Sequence, residues 1–208
     1  MHKLIWSGPV AAVLLIVGLF ESNIETSSTD GAITAWLITH GNVSWLAHSF
    51  ASTLAAVALV VFAHALRARV GDDTAGSLVV SMSTLAAAML AVGAALFAAV
   101  PVGRVFEGAP QPDPSTYRYV LSAAASVMVI FVSPIAAGMA ASAGVGLLRS
   151  RTAPRWVAIT SIVLAVLMLL SAFVAPLMVF GLWLLVTGVA LGVRRPAVAV
   201  KPVVTVPA

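Results

Sequence analysis

Cysteine is absent from this 208-residue chain, charged residues make up only 9%, and acids number seven. Without cysteine there is no disulfide, no iron–sulfur cluster and no thiolate zinc site. So little charge cannot cover the surface of a water-soluble domain, which carries about 25% charged residues. Catalytic signatures are missing as well: no H-E-x-x-H, G-x-S-x-G, Walker loop or dinucleotide fingerprint occurs. The expectation is therefore a protein that is not an enzyme, with no catalytic residue, cofactor or metal. No Asp, Glu, Lys or Arg lies deep in any long apolar run. That weighs against a proton- or ion-coupled pump, which needs intramembrane charge.

What is present is apolar side chain, 61% of the residues. A helical crossing needs about 20 apolar residues, and the runs predict spans near 3–20, 46–66, 78–100, 118–148, 156–174 and 177–193. The first run ends in "GLFES" without the small-residue pattern of a cleavage site, so it reads as a retained helix. The last two spans share 38 residues, Trp156 to Val193, without a charge. At 1.5 Å per residue they reach about 57 Å, barely two crossings of a roughly 30 Å core.

Arginine placement decides for two. Arg149, Arg151 and Arg155 precede this segment, and Arg194, Arg195 and Lys201 follow it. Basic residues stay on the cytoplasmic side, so an even number of crossings separates the clusters, turning near Ala175-Pro176. With both ends inside, nine basic residues are cytoplasmic, and only Arg104 and Arg118 are outside. Because the basic residues flank spans instead of forming one patch, no nucleic-acid partner is expected.

The first outer loop, "ESNIETSSTDGAITAWLITHGNVSW", predicts a short interfacial helix capped by Ser28 or Thr29 and ended by Gly41. Ile33, Trp36 and Leu37 share its apolar face. It reads as a structural lid in preference to a ligand-binding one, because only the helix pattern speaks for it. The second, "PVGRVFEGAPQPDPSTYRY", carries prolines at 101, 110, 112 and 114 and reads as stiff and non-helical, with Ser115 or Thr116 capping span four. Arg104, Glu107, Asp113 and Arg118 are expected to form at most surface ion pairs across it. The inner loop predicts a cap near Asp73 or Thr74.

Within the spans, small residues mark close helix approach. Span three has Ala87, Ala91, Ala95 and Ala99 in one row, span four Gly138, Ser142 and Gly146, and span six Gly188 and Gly192. Pro134, mid-span and preceded by Ser133, predicts a kink. His48 and His64 lie sixteen residues apart, about 24 Å of rise and about 160° of rotation on one helix, so they cannot share a metal or haem iron and read as interfacial. His40, with His48 and the outer acids, lacks tight ligand spacing.

Alanine–valine–glycine spans, arginine in place of lysine, and the layout "TDGAITAWLITHGN" followed by "HALRAR" carry a resemblance. The chain resembles uncharacterised six-span membrane proteins of GC-rich actinobacteria, a group without assigned function that implies no active residues.

These readings converge on an all-α membrane protein, a six-transmembrane-helix bundle with a short outer interfacial helix. Residues 1–193 form one domain, and 194–208 form a cytoplasmic tail expected to be disordered. The expected function is a non-enzymatic accessory or interaction subunit of the cytoplasmic membrane. Its partners would be the lipid bilayer and other membrane helices or copies of itself. The alternative is a small-solute or lipid-like transporter with a neutral pathway near Pro134.

Overall fold

The computed structural model describes residues 2–19, 28–39, 42–170 and 176–193. The expected tail, His40, Gly41 and the turn before Pro176 lie outside them. Among the described residues there is no strand. A 3-10 turn, His2–Trp6, leads into α1 (Ser7–Leu19), followed by α2 (Asp30–Thr39), α3 (Asn42–Val70) and α4 (Thr74–Phe106). Then come α5 (Pro114–Ser126), a π-helical segment (Val127–Val132), α6 (Ser133–Ser150), α7 (Arg155–Leu170) and α8 (Pro176–Val193).

Four helices are long and apolar enough to cross a membrane: Trp45–Val70, Thr74–Phe106, the continuous Pro114–Ser150 and Pro176–Val193. Two further apolar helices, Lys3–Gly18 and Arg155–Leu170, are shorter. Helix α4 exceeds its expected range because Pro101 continues the helix, buried, where a loop was expected. At 1.5 Å per residue its 33 residues span about 50 Å, so its last turns reach past a roughly 30 Å core.

Polar side chains set the ends. Asp73 caps α4, accepting from Gly76 N at 3.1 Å. At α5 the cap is Asp113, not Ser115 or Thr116. Its carboxylate accepts from Thr116 N at 2.8 Å and from the Ser115 and Thr116 hydroxyls at 2.6 and 3.0 Å, and Pro114 opens the helix. Pro114 takes the first helical position, which suits proline and puts the cap at residue 113. The Ser115 hydroxyl first, then the Thr116 amide and hydroxyl, hold the Asp113 carboxyl down to about 2. Between α3 and α4, Gly71 adopts φ +115°, which a side chain would strain, and its amide donates to Arg67 O at 2.8 Å.

Six helices close a ring: α1 on α3, α3 on α4, α4 on α6, α6 on α7, α7 on α8, and α8 back on α1. Antiparallel pairing follows from the contacts. Gly8 faces Phe62 while Gly18 faces Ser52, and Gly188 faces Pro9 while Gly192 faces Trp6. One end thereby gathers Trp6, Val70, Ala75, Gly146 and Gly192, and Thr152 Oγ1 donates to Arg69 O at 2.6 Å. The basic residues that terminate α3 and α6 sit together there.

The ring interior is filled by Phe62, Leu66, Leu90, Met139, Leu147, Phe180 and Trp183, all fully buried. Trp183 stacks on Phe180 with centroids 5.9 Å apart and meets Phe62 edge-on at 6.0 Å. Its indole N–H donates to Ser161 Oγ at 2.9 Å, and Ser161 donates in turn to Val157 O. Both polar groups are thus satisfied in an apolar core, where an unmade bond costs about 1–3 kcal/mol.

Candidate functional site

The small-residue positions separate by location. An added Cβ at Gly188 would overlap the Pro9 ring, at Gly192 it would lie 2.8 Å from the Trp6 indole, and at Gly146 it would overlap Val70. Gly138 has only ordinary contact with Met82 at 3.6 Å, and Ser142 is half-buried. The glycine of α6 that meets a neighbouring helix's backbone is one the row of 138, 142 and 146 passed over. At Gly144 an added Cβ would lie 2.8 Å from the Ala158 carbonyl oxygen of α7. Ala136, Ala140 and Gly144 form the buried i, i+4 row that signals it.

The alanine row on α4 does not line one seam. An i, i+4 row drifts about 40° around a helix at each step. Ala87 is buried, Ala91 half-buried, and Ala95 and Ala99 exposed.

At Pro134 the helix continues, and the adjustment lies one turn earlier, in the π-helical Val127–Val132. Proline lacks the amide proton and its ring crowds the carbonyl four residues back; a widened turn relieves both. Pro134 itself is exposed, whereas Ser133 is 2% exposed and its hydroxyl has no hydrogen-bond partner. Met128, in the π segment, fills the space over Gly93 of α4.

At the end of the bundle opposite the basic cluster lies a second, smaller apolar cluster: Ile33, Leu37, Trp45, Tyr117 and Leu121, flanked by Trp36, Phe97 and Val100. Three rings define it. Trp36, Trp45 and Tyr117 have pairwise centroid distances of 5.7, 5.8 and 5.7 Å, in edge or tilted geometry, as ring quadrupoles favour. Thr29 caps α2, its hydroxyl accepting from Ala32 N at 3.3 Å. Arg118 donates to Ser28 O at 2.7 Å and pairs with Asp30 at 2.7 Å. Arg104 reaches Leu37 O at 3.5 Å. Arg118 and Arg104 therefore both contact α2, at its two ends.

His48 is half-buried in the first turns of α3, and His64 is exposed toward its other end. Among the described residues no three His, Asp or Glu side chains converge. Sequence reasoning placed Ile33, Trp36 and Leu37 on one face of α2 but did not name Tyr117, Arg118 and Arg104 as the residues that meet this helix, which lie about seventy to ninety residues away in the chain. It also missed Trp183 and Ser161. A tryptophan in mid-span, unlike Trp6, Trp45 and Trp156 near span ends, requires an acceptor nearby, and that was the available signal.

Compared with protein-family models, curated proteins and solved structures, the chain matches none.

Proposed function

We propose that this chain crosses a bacterial cytoplasmic membrane six times, with both ends inside, and serves as a non-enzymatic accessory subunit that packs against other membrane helices. The shorter helices α1 and α7 support six crossings by their pairing. The α7 and α8 contact at Ser161 and Trp183, with Gly192 at Trp6, fits a hairpin whose ends return to the basic side. Sixteen residues reach about 24 Å, a mismatch that bilayer thinning absorbs at fractions of a kcal/mol per Å. On this reading α2 lies at the outer interface.

The observation that carries the subunit reading is a difference between outward faces. Helices α1, α7 and α8 expose Val10, Val13, Val17, Ile159, Val163, Leu182 and Leu185, the surface lipid tails contact. The middle of α4's outward face is instead Ser77, Ser81, Thr84, Ala88, Ala95 and Ala99, with Leu78, Leu85 and Val92 along one flank. Helix α5 adds exposed Ser122, Ala123 and Ser126. Small and hydroxyl-bearing residues on a span permit close helix approach and interhelical hydrogen bonds.

Ala95→Leu and Ser81→Leu test it. Both should leave the purified protein folded and strip helical partners that copurify with it in mild detergent, whereas Val163→Leu on α7 should not. A wild-type protein that purifies alone, with the same particle mass as Ala95→Leu, would exclude the reading. A second reading, passage of a neutral solute past the π segment, is favoured by the unpartnered Ser133 hydroxyl. Solute flux into proteoliposomes that falls in Ser133→Ala would support it.

A further inference from the structure

We propose that the π segment Val127–Val132 is a one-residue register switch. In the register seen here α5 turns Tyr117 and Leu121 into the ring cluster beside α2; in a second, fully α-helical register α5 rotates by about 100° and withdraws them. The phase of the buried residues carries it. Tyr117, Leu121 and Ala124 mark the buried face of α5, and Ala136, Ala140 and Ala143 run along that of α6. At about 100° per residue, an uninterrupted α-helix from Pro114 to Ser150 would set these two faces about 100° apart. A π turn bonds residues five apart in place of four and so absorbs one residue, about 100° of phase. The segment thereby brings both faces to the inside of the bundle.

The second register has its own support in the sequence. Pro134 has no amide proton, so a plain α-helix would leave the Ile130 carbonyl without one. Ser133 stands three residues after Ile130, where a serine hydroxyl bonds back to a carbonyl of the preceding turn and replaces the missing donor. In the π register the same hydroxyl is 2% exposed and has no partner, an uncompensated polar group. The π form therefore seats Tyr117 and strands Ser133, and the α form does the reverse. Packing assigns the motion to α5. Helix α6 is held by α3, α4, α7 and α8, with Gly144 against the Ala158 carbonyl and Gly146 against Val70, whereas α5 rests on α4 and α2. A rotation of about 100° exchanges Ala124, fully buried, for its exposed neighbour Ala125, and carries Ser122 inward with it. Both are small, so α4 can receive that face closely.

Because the chain has no cysteine, Ala124→Cys and Ala125→Cys report the register as a pair. Each purified protein, in mild detergent, is reacted with N-ethylmaleimide, which enters micelles. By itself Ala124→Cys should label about tenfold more slowly than Ala125→Cys, the signature of a closed state that opens locally. Pro134→Ala restores the amide and removes the cause of the π turn. It should speed Ala124→Cys and slow Ala125→Cys, each by about tenfold, as a shifted two-state population requires. Deletion of the exposed Ile130 aligns the two faces without a π turn, and should keep Ala124→Cys slow even beside Pro134→Ala. Rates that Pro134→Ala leaves unchanged overturn the proposal. So does a rise at both positions, which marks fraying of α5 in place of rotation. If Pro134→Ala does not fold, Ser133→Ala carries the test: it removes the bond that favours the second register, and a rate for Ala124→Cys no lower than before overturns the switch.

Discussion

The seam between α1 and α8 and the attachment of α2 close the same bundle by opposite means. At the seam, Gly188 and Gly192 let helix surfaces meet Pro9 and Trp6 with no room for a methyl group. At α2, three rings and two arginines hold a short helix through partly exposed polar contacts. The first contact is all-or-none, because a packed interior transmits any added volume as strain. The second is graded, because each exposed polar contact is worth about 1 kcal/mol or less and can open separately. The lesson is that stability and adjustability are segregated to different parts of one chain.

The largest effect that would sharpen this contrast is at Gly188. Gly188→Val drives a branched side chain into the Pro9 ring and should cost about 3 kcal/mol or more, read as a lowered thermal midpoint of the monodisperse protein, while Gly138→Ala should stay within about 0.5 kcal/mol. If the two behave alike, the seam is not all-or-none.

Next comes Ser161→Ala, which strands the Trp183 N–H in the core. A loss of about 1–2 kcal/mol is expected in the same assay. Smaller in global terms is Trp36→Ala. Amide exchange across α2 should accelerate, while the midpoint of the whole protein moves by less than about 1 kcal/mol. A cooperative loss of the whole bundle would erase the distinction between the two regions.

The smallest is a pH effect at the start of α5. Asp113 has its carboxyl lowered to about 2 from an ordinary 3.8 by the Ser115 and Thr116 hydrogen bonds. A depressed acid stabilises the fold fully above its ordinary value and loses that contribution as pH falls through the lowered one. Protection of the Thr116 amide should therefore fade between about pH 4 and pH 2, and Asp113→Asn should abolish that pH dependence.

Much of the fold is legible along the chain because hydropathy and helix geometry are local. The long apolar helices sit where the runs predict them, and Asp73 and Thr29 cap where expected. Errors fall where local rules compete. Pro101 looks like a loop residue, yet a proline is tolerated where neighbouring helices repair the lost bond, and α4 continues to Phe106. Pro134 signals an irregularity, but it takes the form of a π segment one turn upstream, where Met128 lies over Gly93 of α4. The alanine row on α4 predicts a seam, and the roughly 40° drift of such a row turns half of it outward.

What composition and order alone determined is the chemistry of the solvent this chain prefers: an all-helical, apolar protein with basic residues gathered at the ends of its apolar runs. Hydropathy and charge act residue by residue, so they survive without knowledge of the partners. Tertiary structure decided which small residues touch, that mid-span Trp183 finds Ser161, and that Arg104 and Arg118 converge on α2. Those are pairings between distant segments, and only packing in three dimensions brings such groups within the few ångströms over which contact and hydrogen bonding operate.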